Sequence, residues 1–248
     1  MLLKSRSVYL NAVVTLFLYA ALSYSNIFSQ NPQQQNELPV VKIVNPKNNS
    51  VFDWDSPMNY EISVADKEDG DSKFDEINVK EVLLEVRHAG NQPKILATGK
   101  AAPPDPPGLA VIRTSNCFNC HNFNSKSIGP SFFEITKRYP ATPSNNDSLV
   151  KHIRAGSSGI WGKEKMPTHP ELSPEEIKSA VQWILKHSAD PTVDYYIGTE
   201  GSFRIKQPVT SKPGATYILT ASYIDHGLKT APGKQRLKGQ DVVVLHSK

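Results

Sequence analysis

The sequence predicts a multi-domain fold in which a helical segment interrupts an all-β part of the chain. Short apolar runs separated by turn clusters, which are typical of β-strands, occupy residues 39–100 and return in residues 194–248. Between them, over residues 108–190, apolar residues recur with the period of an α-helix. A proline-rich connector, residues 101–107, marks the boundary between the first β segment and the helices.

Four strands are predicted before the helices: Val40–Val44, Tyr60–Val64, Val82–Val86 and Ile95–Ala97. The second of them ends at the acidic loop Asp66–Asp71, which we interpret as a solvated surface loop. Its carboxylates could bind calcium, but the loop lacks the complete sequence pattern of a calcium-binding loop.

The last predicted helix has the clearest boundaries of the helical segment. Ser173 is a good N-cap, Pro174 suits the first turn, and Glu176 completes a capping box. Apolar residues then repeat on one helix face: Ile177, Ala180, Val181, Ile184 and Leu185. Three further helices are predicted over residues 108–116, from Ser131 to about Arg138, and from Asp147 or Ser148 to Gly156.

Strands return after the helices, at residues 195–197, 202–205, 215–224 and 241–245. Four strands in about sixty residues are too few for a complete β-sandwich. We therefore predict one discontinuous sandwich, residues 39–100 plus 194–248, with the helical segment inserted in a loop. Two independent small β modules flanking the helices are the alternative.

One motif in the helical segment carries chemistry. Cys117-Phe118-Asn119-Cys120-His121 contains both cysteines of the chain, and Cys-x-x-Cys-His is the attachment signature of a c-type haem. Two thiols on one helical turn can each form a thioether with a haem vinyl group, and His121 then follows to ligate the iron. A redox pair would need a thioredoxin-like context, and a structural zinc site would need a second cysteine pair. An ordinary disulfide is the minor alternative.

A second axial ligand is predicted at Met166, the only methionine of the helical segment. A thioether ligand opposite a histidine raises the reduction potential of the haem. His169 and His152 are competing ligands, and a lone methionine can also simply fill a gap in a core.

These motifs resemble those of a small bacterial class I cytochrome c. The resemblance covers residues 108–188 and includes Gly108, Ile112, the Cys117–His121 motif, Ile128–Phe132, Gly159–Gly162, Lys165–Pro167 and Trp183. It implies that the Pro130 carbonyl accepts a hydrogen bond from the ring of His121 and that Trp161 lies beside a haem propionate. It also implies that Gly108 and Trp183 lie where the first and last helices cross; for Trp183 we favour a packing role.

The flanking segments resemble a second family. Residues 40–66 and 214–227 are similar to strands of bacterial immunoglobulin-like domains of the PKD/Big type. The resemblance implies an immunoglobulin-like β-sandwich. Such modules accompany cytochromes in exported, sugar-related proteins, some of which are fused to quinoprotein sugar dehydrogenases.

The N-terminus predicts export. Residues 1–30 combine the positive charges of Lys4 and Arg6 with an apolar run over 8–22, as in a secretory signal peptide, and residues 31–38 form a polar tether. This indicates a periplasmic or otherwise exported protein. Membrane attachment would follow only if the signal stays uncleaved as an anchor.

Together these features predict an electron carrier rather than an enzyme, because His121 and Met166 would fill both axial positions of one covalent haem c. A redox protein, such as a periplasmic quinoprotein dehydrogenase or an oxidase, is the expected partner. The mild formal charge of +4, without a Lys/Arg block, argues against nucleic acid. The alternatives are a five-coordinate haem sensor or peroxidase, and a carbohydrate-binding module with an accessory haem. In the second case the sugar-binding candidates would be Tyr195, Tyr196 and Tyr223, although core packing is favoured for them.

Overall fold

The computed structural model describes residues 35–89, 102–188, 190–208, 214–230 and 235–248. The predicted signal peptide, the first residues of the tether and the predicted strand Ile95–Ala97 lie outside these ranges. The described residues from Asn36 onward pack as one unit. Within the described ranges, no helix has the length and apolar character needed to cross a membrane.

The β part forms two sheets. The first contains β1 (Val40–Asn45), β3 (Pro57–Asp66), β4 (Gly70–Asp71) and β7 (Glu200–Arg204). The second contains β2 (Ser50–Phe52), β5 (Leu83–His88), β6 (Val193–Ile197), β8 (Thr216–Ile224) and β9 (Lys238–Ser247). Two of these strands, β2 and β4, were not predicted, because two or three residues are too short to show a period.

Each sheet combines strands from both sides of the helical segment. In the first sheet, β3 pairs with β1, β4 and β7, all antiparallel. In the second sheet the order is β2-β9-β8-β5-β6, so β5 lies between two strands that follow the helices. All neighbours in this sheet are antiparallel except β2 and β9. Neither the first sheet nor the second is therefore built from one side of the sequence alone.

The second sheet is covered on both faces. Leu84 and Val86 of β5 point into an apolar core shared with the first sheet. Leu83 of the same strand, with Val193 and Tyr195 of β6, packs instead against the helices. The alternation of side chains along a strand thus joins the sandwich core to the helical core through one sheet.

Four helices follow the first β segment: α1 (Pro107–Thr114), α2 (Phe132–Arg138), α3 (Pro143–Ala155) and α4 (Pro174–His187). The predicted capping boxes are confirmed at Ser131 with Glu134 and at Ser173 with Glu176. The predicted start of α3 at Asp147 or Ser148 is wrong. The helix begins four or five residues earlier, because the Thr142 hydroxyl accepts a hydrogen bond from Asn145 N and Pro143 suits the first turn.

Helices α1 and α4 cross at Gly108. A Cβ atom there would lie 2.3 Å from the Ser179 carbonyl oxygen and 2.5 Å from Trp183 Cβ. Only a residue without a side chain allows this approach. The expected position of Gly108 and Trp183 at the helix crossing is confirmed, and Trp183 is a buried core residue.

A buried ion pair joins α1 to the second sheet. The side chains of Arg113 and Asp105 are each 3% exposed, and Arg113 Nη1 donates to Asp105 Oδ2 at 2.9 Å. The guanidinium also donates to the Ser222 hydroxyl, the Ser222 carbonyl and the Glu81 carbonyl at 3.0, 3.1 and 3.2 Å. Lys238 pairs with the other carboxylate oxygen of Asp105. Burial lowers the pKa of Arg113, and the charge of Asp105 opposes that shift.

We expect Arg113→Met to lower the free energy of unfolding by about 3–5 kcal/mol, because it removes one partner of a buried ion pair and leaves two carbonyls without a donor. Chemical denaturation followed by far-UV circular dichroism measures this loss. Arg204→Met is the matched control: Arg204 also donates to a carbonyl, that of Asp55, but at an exposed site, and should change stability by only about 0.5 kcal/mol. Equal losses in the two variants would contradict the proposed importance of the buried pair.

Candidate haem site

The Cys117–His121 motif lies on a tight turn directly after α1. Residues Cys117–Asn119 form a short 3₁₀ helix that Asn116 enters in the left-handed conformation, with φ of 59°. His121 N donates to Cys117 O at 3.0 Å, which closes one further turn. Cys117 and Cys120 are not joined by a disulfide. The turn therefore presents both thiols and the following histidine from one short stretch of backbone.

The environment of Cys117 does not suit a redox-active thiol. Burial raises the pKa of Cys117 to about 11, with a smaller contribution from the neighbouring Cys120. Reactive cysteines of Cys-x-x-Cys redox proteins have lowered pKa values, because the thiolate is the nucleophile. This geometry favours attachment over exchange chemistry.

His121 is held in one orientation. Its ring is largely buried and stacks on Phe132, with ring centroids 5.5 Å apart and planes 15° apart. Its Nδ1 lies 2.7 Å from the Pro130 carbonyl oxygen, which accepts a hydrogen bond from it. The other ring nitrogen, Nε2, is then the one that can bind a metal. Burial lowers the pKa of His121, which favours the neutral, ligating form.

Gly129 allows the loop to pass close to this ring. A Cβ atom on Gly129 would lie 2.6 Å from His121 Cε1, and 3.0 and 3.1 Å from the two ring nitrogens. The Gly129 N–H also donates to the Cys120 carbonyl at 2.8 Å. The close approach brings the next residue, Pro130, within hydrogen-bonding distance of Nδ1. The sequence alone does not show that Gly129 lies against His121, so the requirement for glycine at this position could not be predicted.

A large, mostly apolar cavity opens beside His121. The empty space within it, including space open to solvent, is about 1210 Å³. Cys117, Cys120, His121 and Met166 all line it. Apolar side chains from all four helices and the intervening loops complete the wall, among them Ile112, Phe132, Ile153, Ile160, Ile177 and Ile184.

Met166 reaches this cavity from a loop that is fixed at its base. Met166 N donates to Ser157 O at 2.9 Å, and Ser157 N donates to Met166 O at 3.2 Å. Gly156, with φ of 74°, ends α3 directly before this bridge, and a Cβ there would lie 2.8 Å from the Met166 carbonyl oxygen. The sequence identified Met166 but not the backbone bridge to Ser157 that positions it.

The other predicted residues also line the cavity. The Trp161 ring lies under the Arg138 guanidinium, whose Cζ is 5.0 Å from the ring centroid. His152 and His169, the competing ligands, line the cavity too, and His169 Nδ1 lies 2.8 Å from Glu171 Oε1. The cavity thus brings together every residue predicted for the site, with Pro130 behind His121.

These residues fit a covalently bound haem. Two thiols and a histidine face a cavity with mostly apolar walls, which is what a large apolar ring with two vinyl groups and an iron requires. In the described part of the chain, no three His, Cys, Asp or Glu side chains are already grouped closely enough to hold a metal ion. A haem iron needs no such group, because the ring itself supplies four nitrogens.

The predicted sugar-binding aromatics do not form a surface. Tyr195 and Tyr223 are buried, and Tyr196 packs against the sandwich core. Tyr195 stacks on Phe123, with centroids 4.8 Å apart, and joins the helical core. The carbohydrate hypothesis therefore loses the residues on which it depended, and core packing is the correct interpretation of these tyrosines.

Comparisons with known proteins agree with this site. The family model for cytochrome c matches residues 107–188. Cytochrome c-551 of Azotobacter vinelandii is 40% identical over 80 residues, which cover 32% of this chain and 96% of that protein. Cytochrome c-552 of Hydrogenobacter thermophilus is 34% identical over 86 residues, covering 32% and 87%. The crystal structure of Nitrosomonas europaea cytochrome c552 is 31% identical and covers 32% of this chain and 96% of its own, with a TM-score of 0.30.

Cytochromes c hold haem c covalently through a Cys-x-x-Cys-His motif, and this chain supplies the motif at the wall of a cavity that suits the ring. Through residues 107–188, the chain belongs to the cytochrome c family and carries haem c.

Proposed function

We propose that the protein is an exported mono-haem cytochrome c that carries single electrons between redox proteins, with His121 and Met166 as the axial ligands. The observation that carries the proposal is the cavity that both side chains line together with Cys117 and Cys120. Haem c supplies a one-electron couple when bound. Two protein ligands leave no iron position for a substrate, so a carrier rather than an enzyme results.

The residues around the cavity are suited to holding such a group still. The Pro130 carbonyl fixes the ring of His121, which orients the ligand and makes it a stronger donor. The mostly apolar wall keeps water from much of the site. Met166 supplies a soft neutral sulfur, which favours the reduced state. Each of these effects influences the reduction potential of the haem. None of them depends on a conformational change during electron transfer.

We expect Met166→Ala to remove the weak sulfur-to-iron charge-transfer band from the optical spectrum of the oxidised protein. It should also lower the reduction potential by on the order of 0.1–0.2 V, a fraction of the roughly 0.8 V that axial ligands span. Met58→Ala is the matched control, because Met58 packs beside the sandwich core and away from the cavity. A high-spin spectrum of the unmutated protein would overturn the carrier proposal and favour the five-coordinate sensor or peroxidase. Retention of the band in Met166→Ala would point to another ligand, which His169→Ala and His152→Ala would identify.

Gly129→Ala tests the support of the histidine. The added Cβ would overlap His121 Cε1, so we expect a displaced ring, a weaker bond to Pro130 and a changed reduction potential. Gly108→Ala is the control, since its Cβ meets α4 instead. Neither glycine has a positive φ, so contact alone acts in both variants. Gly108→Ala should cost about 1–3 kcal/mol of stability and leave the potential unchanged. Unaltered potential in Gly129→Ala would contradict the role of this close approach.

We also propose that the β segments form one discontinuous immunoglobulin-like sandwich, residues 39–100 plus 194–248, and that the cytochrome domain, residues 108–190, is inserted in it. The pairing of β3 with β7, and of β5 with β6 and β8, supports this proposal. The helical core packs on the outer face of the second sheet, so the sandwich would orient the haem domain toward a partner. A periplasmic dehydrogenase or an oxidase is the partner class proposed.

Residues 38–100 produced alone should not fold, because β3 and β5 would lack their partners from the second half of the sequence. Circular dichroism and amide chemical-shift dispersion measure this. The same residues mixed with a 194–248 peptide are the complementary test, and dispersed spectra should appear only with both pieces. A cooperatively folded monomer of 38–100 alone would support two independent β modules instead.

Export is proposed from the N-terminal sequence and from the chemistry of the site. Residues 1–30 have the composition of a signal peptide, and c-type haem is attached on the outer side of the bacterial inner membrane. Mass spectrometry of the mature protein from the producing cells tests the proposal. We expect a mature N-terminus near residues 25–31 and a mass increased by one haem.

A further inference from the structure

Three buried side chains at one end of the sandwich carry oxygen atoms without a partner. Asn36, Asp66 and Glu68 are 7%, 8% and 6% exposed. Among the described residues, Asn36 Oδ1, Asp66 Oδ2 and both carboxylate oxygens of Glu68 are buried and accept no hydrogen bond. Unsatisfied buried acceptors, and above all buried carboxylates, are costly and rare in folded proteins.

This burial corrects the interpretation of the Asp66–Asp71 loop as solvated. The side chains of β3 alternate, so Asp66 lies on the same face as Tyr60, Ile62 and Val64 and points inward. Asp66 Oδ1 then accepts hydrogen bonds from Glu68 N at 3.0 Å and Asp69 N at 2.8 Å, which fold the loop back on itself. The acidic composition of the loop predicts exposure to solvent, but it does not show which of the acidic side chains point toward the core.

The folded loop is held against the end of β8. Asp69 Oδ2 accepts a hydrogen bond from Tyr223 OH at 2.8 Å and another from His226 N at 2.9 Å. Between these two residues lies Asp225, which is completely buried. Asp225 Oδ2 accepts a hydrogen bond from Asn36 Nδ2 at 2.7 Å. The pKa of Asp66 is raised, first by burial and further by the charges of Asp69 and Asp225. Hydrogen bonds therefore link Asn36 to Asp225, and the loop that carries Asp66 and Glu68 to the end of β8.

No side-chain cation within the described ranges compensates this group. None of the ion pairs there includes Asp66, Glu68 or Asp225. Lys67, which lies between the two buried acidic residues, points outward and pairs with Glu37. His226 faces Asp69 and Glu81. Asp225 accepts hydrogen bonds from Asn36 Nδ2, Gly227 N and Leu237 N, so the acceptors left without a partner in this group are those of Asn36, Asp66 and Glu68.

We propose that Asn36, Asp66, Glu68 and Asp225 form a binding site for a calcium ion. Calcium takes six to eight oxygen ligands from carboxylates, Asn side chains, backbone carbonyls and water, in a flexible geometry. The set contains only hard oxygen donors, so zinc and copper, which prefer nitrogen and sulfur, do not match it. Magnesium requires a nearly ideal octahedron and retains several waters, which a buried group of this kind does not offer.

The described residues do not contain three acidic side chains already arranged as a closed metal-binding group. Calcium does not need one, because Asn36 supplies an amide oxygen and metal–oxygen distances of about 2.3–2.6 Å leave room for water and carbonyl ligands. The carboxylates would move together around the ion, which removes the repulsion that keeps them apart. Binding would then fasten Asn36, close to the predicted tether, to the loop after β3 and to the end of β8.

The proposed calcium site is independent of electron transfer. The haem-loaded protein is used in the test because it is the natural form of the protein. Chelator-treated protein is titrated with calcium chloride by calorimetry, and thermal unfolding is followed with calcium, with magnesium and with EGTA. We expect one calcium per chain. At a hundredfold excess over Kd, the midpoint of unfolding should rise by about 5 °C or more. Magnesium at the same concentration should produce less than about a fifth of that shift.

Two variants locate the site. Glu68→Gln and Asp66→Asn keep the side-chain shape and should weaken calcium binding at least about tenfold. Asp75→Asn is the matched control: it removes one charge from an exposed residue after the same loop, and asparagine tolerates its φ of 57°. Its affinity should be unchanged. Absence of calcium binding in the unmutated protein, an equal effect of magnesium, or equal weakening by Asp75→Asn would each overturn the proposal. The titration of the unmutated protein decides the question even if a variant fails to fold.

Discussion

The buried contact of Arg113 with Asp105, Ser222 and Glu81 connects the two halves of this protein. Arg113 lies at the end of α1, immediately before the haem-binding turn, so the same helix that presents the turn is fixed to the second sheet. A buried guanidinium contributes little net stability, because desolvation offsets much of its attraction to the carboxylate. What it provides is one relative orientation, since five donors in a rigid fork fit only one set of acceptors.

Aromatic packing continues from this contact toward the haem site. Tyr195 of the second sheet stacks on Phe123, which packs against Phe132, and Phe132 stacks in turn on His121. Close packing of rigid rings transmits position well, because rings have few alternative rotamers. Three aromatic contacts therefore connect the second sheet to His121. A cytochrome domain without such a sheet has to position its histidine through its own helices alone.

The sequence was most informative where a requirement is local. The haem motif, the capping boxes of Ser131 and Ser173 and the helical face of α4 depend on residues a few positions apart, and the structure has them where they were predicted. Burial that depends on distant partners was not predictable in the same way. Asp66 looks like a surface residue until the face of β3 is known, and Arg113 looks like an exposed helix residue until the second sheet covers it. Tyr195 was expected to pack in a core and does so, but the sequence did not show that this core would be the one formed by the helices.

The two buried acidic groups show opposite solutions to one electrostatic problem. Asp105 is neutralised within the chain, by Arg113 on one oxygen and Lys238 on the other. Asp66, Glu68 and Asp225 have no cationic partner in the described part of the chain, although they are only 8%, 6% and 0% exposed. Burying two cationic side chains takes space and costs conformational entropy. One divalent ion compensates two negative charges and can coordinate several further oxygen atoms. The hydrogen bonds of Asp69 to Tyr223 and His226 hold the acidic loop in place regardless of that ion. The loop is therefore folded before an ion binds, and the energetic cost of its buried, unpartnered carboxylate oxygens favours binding.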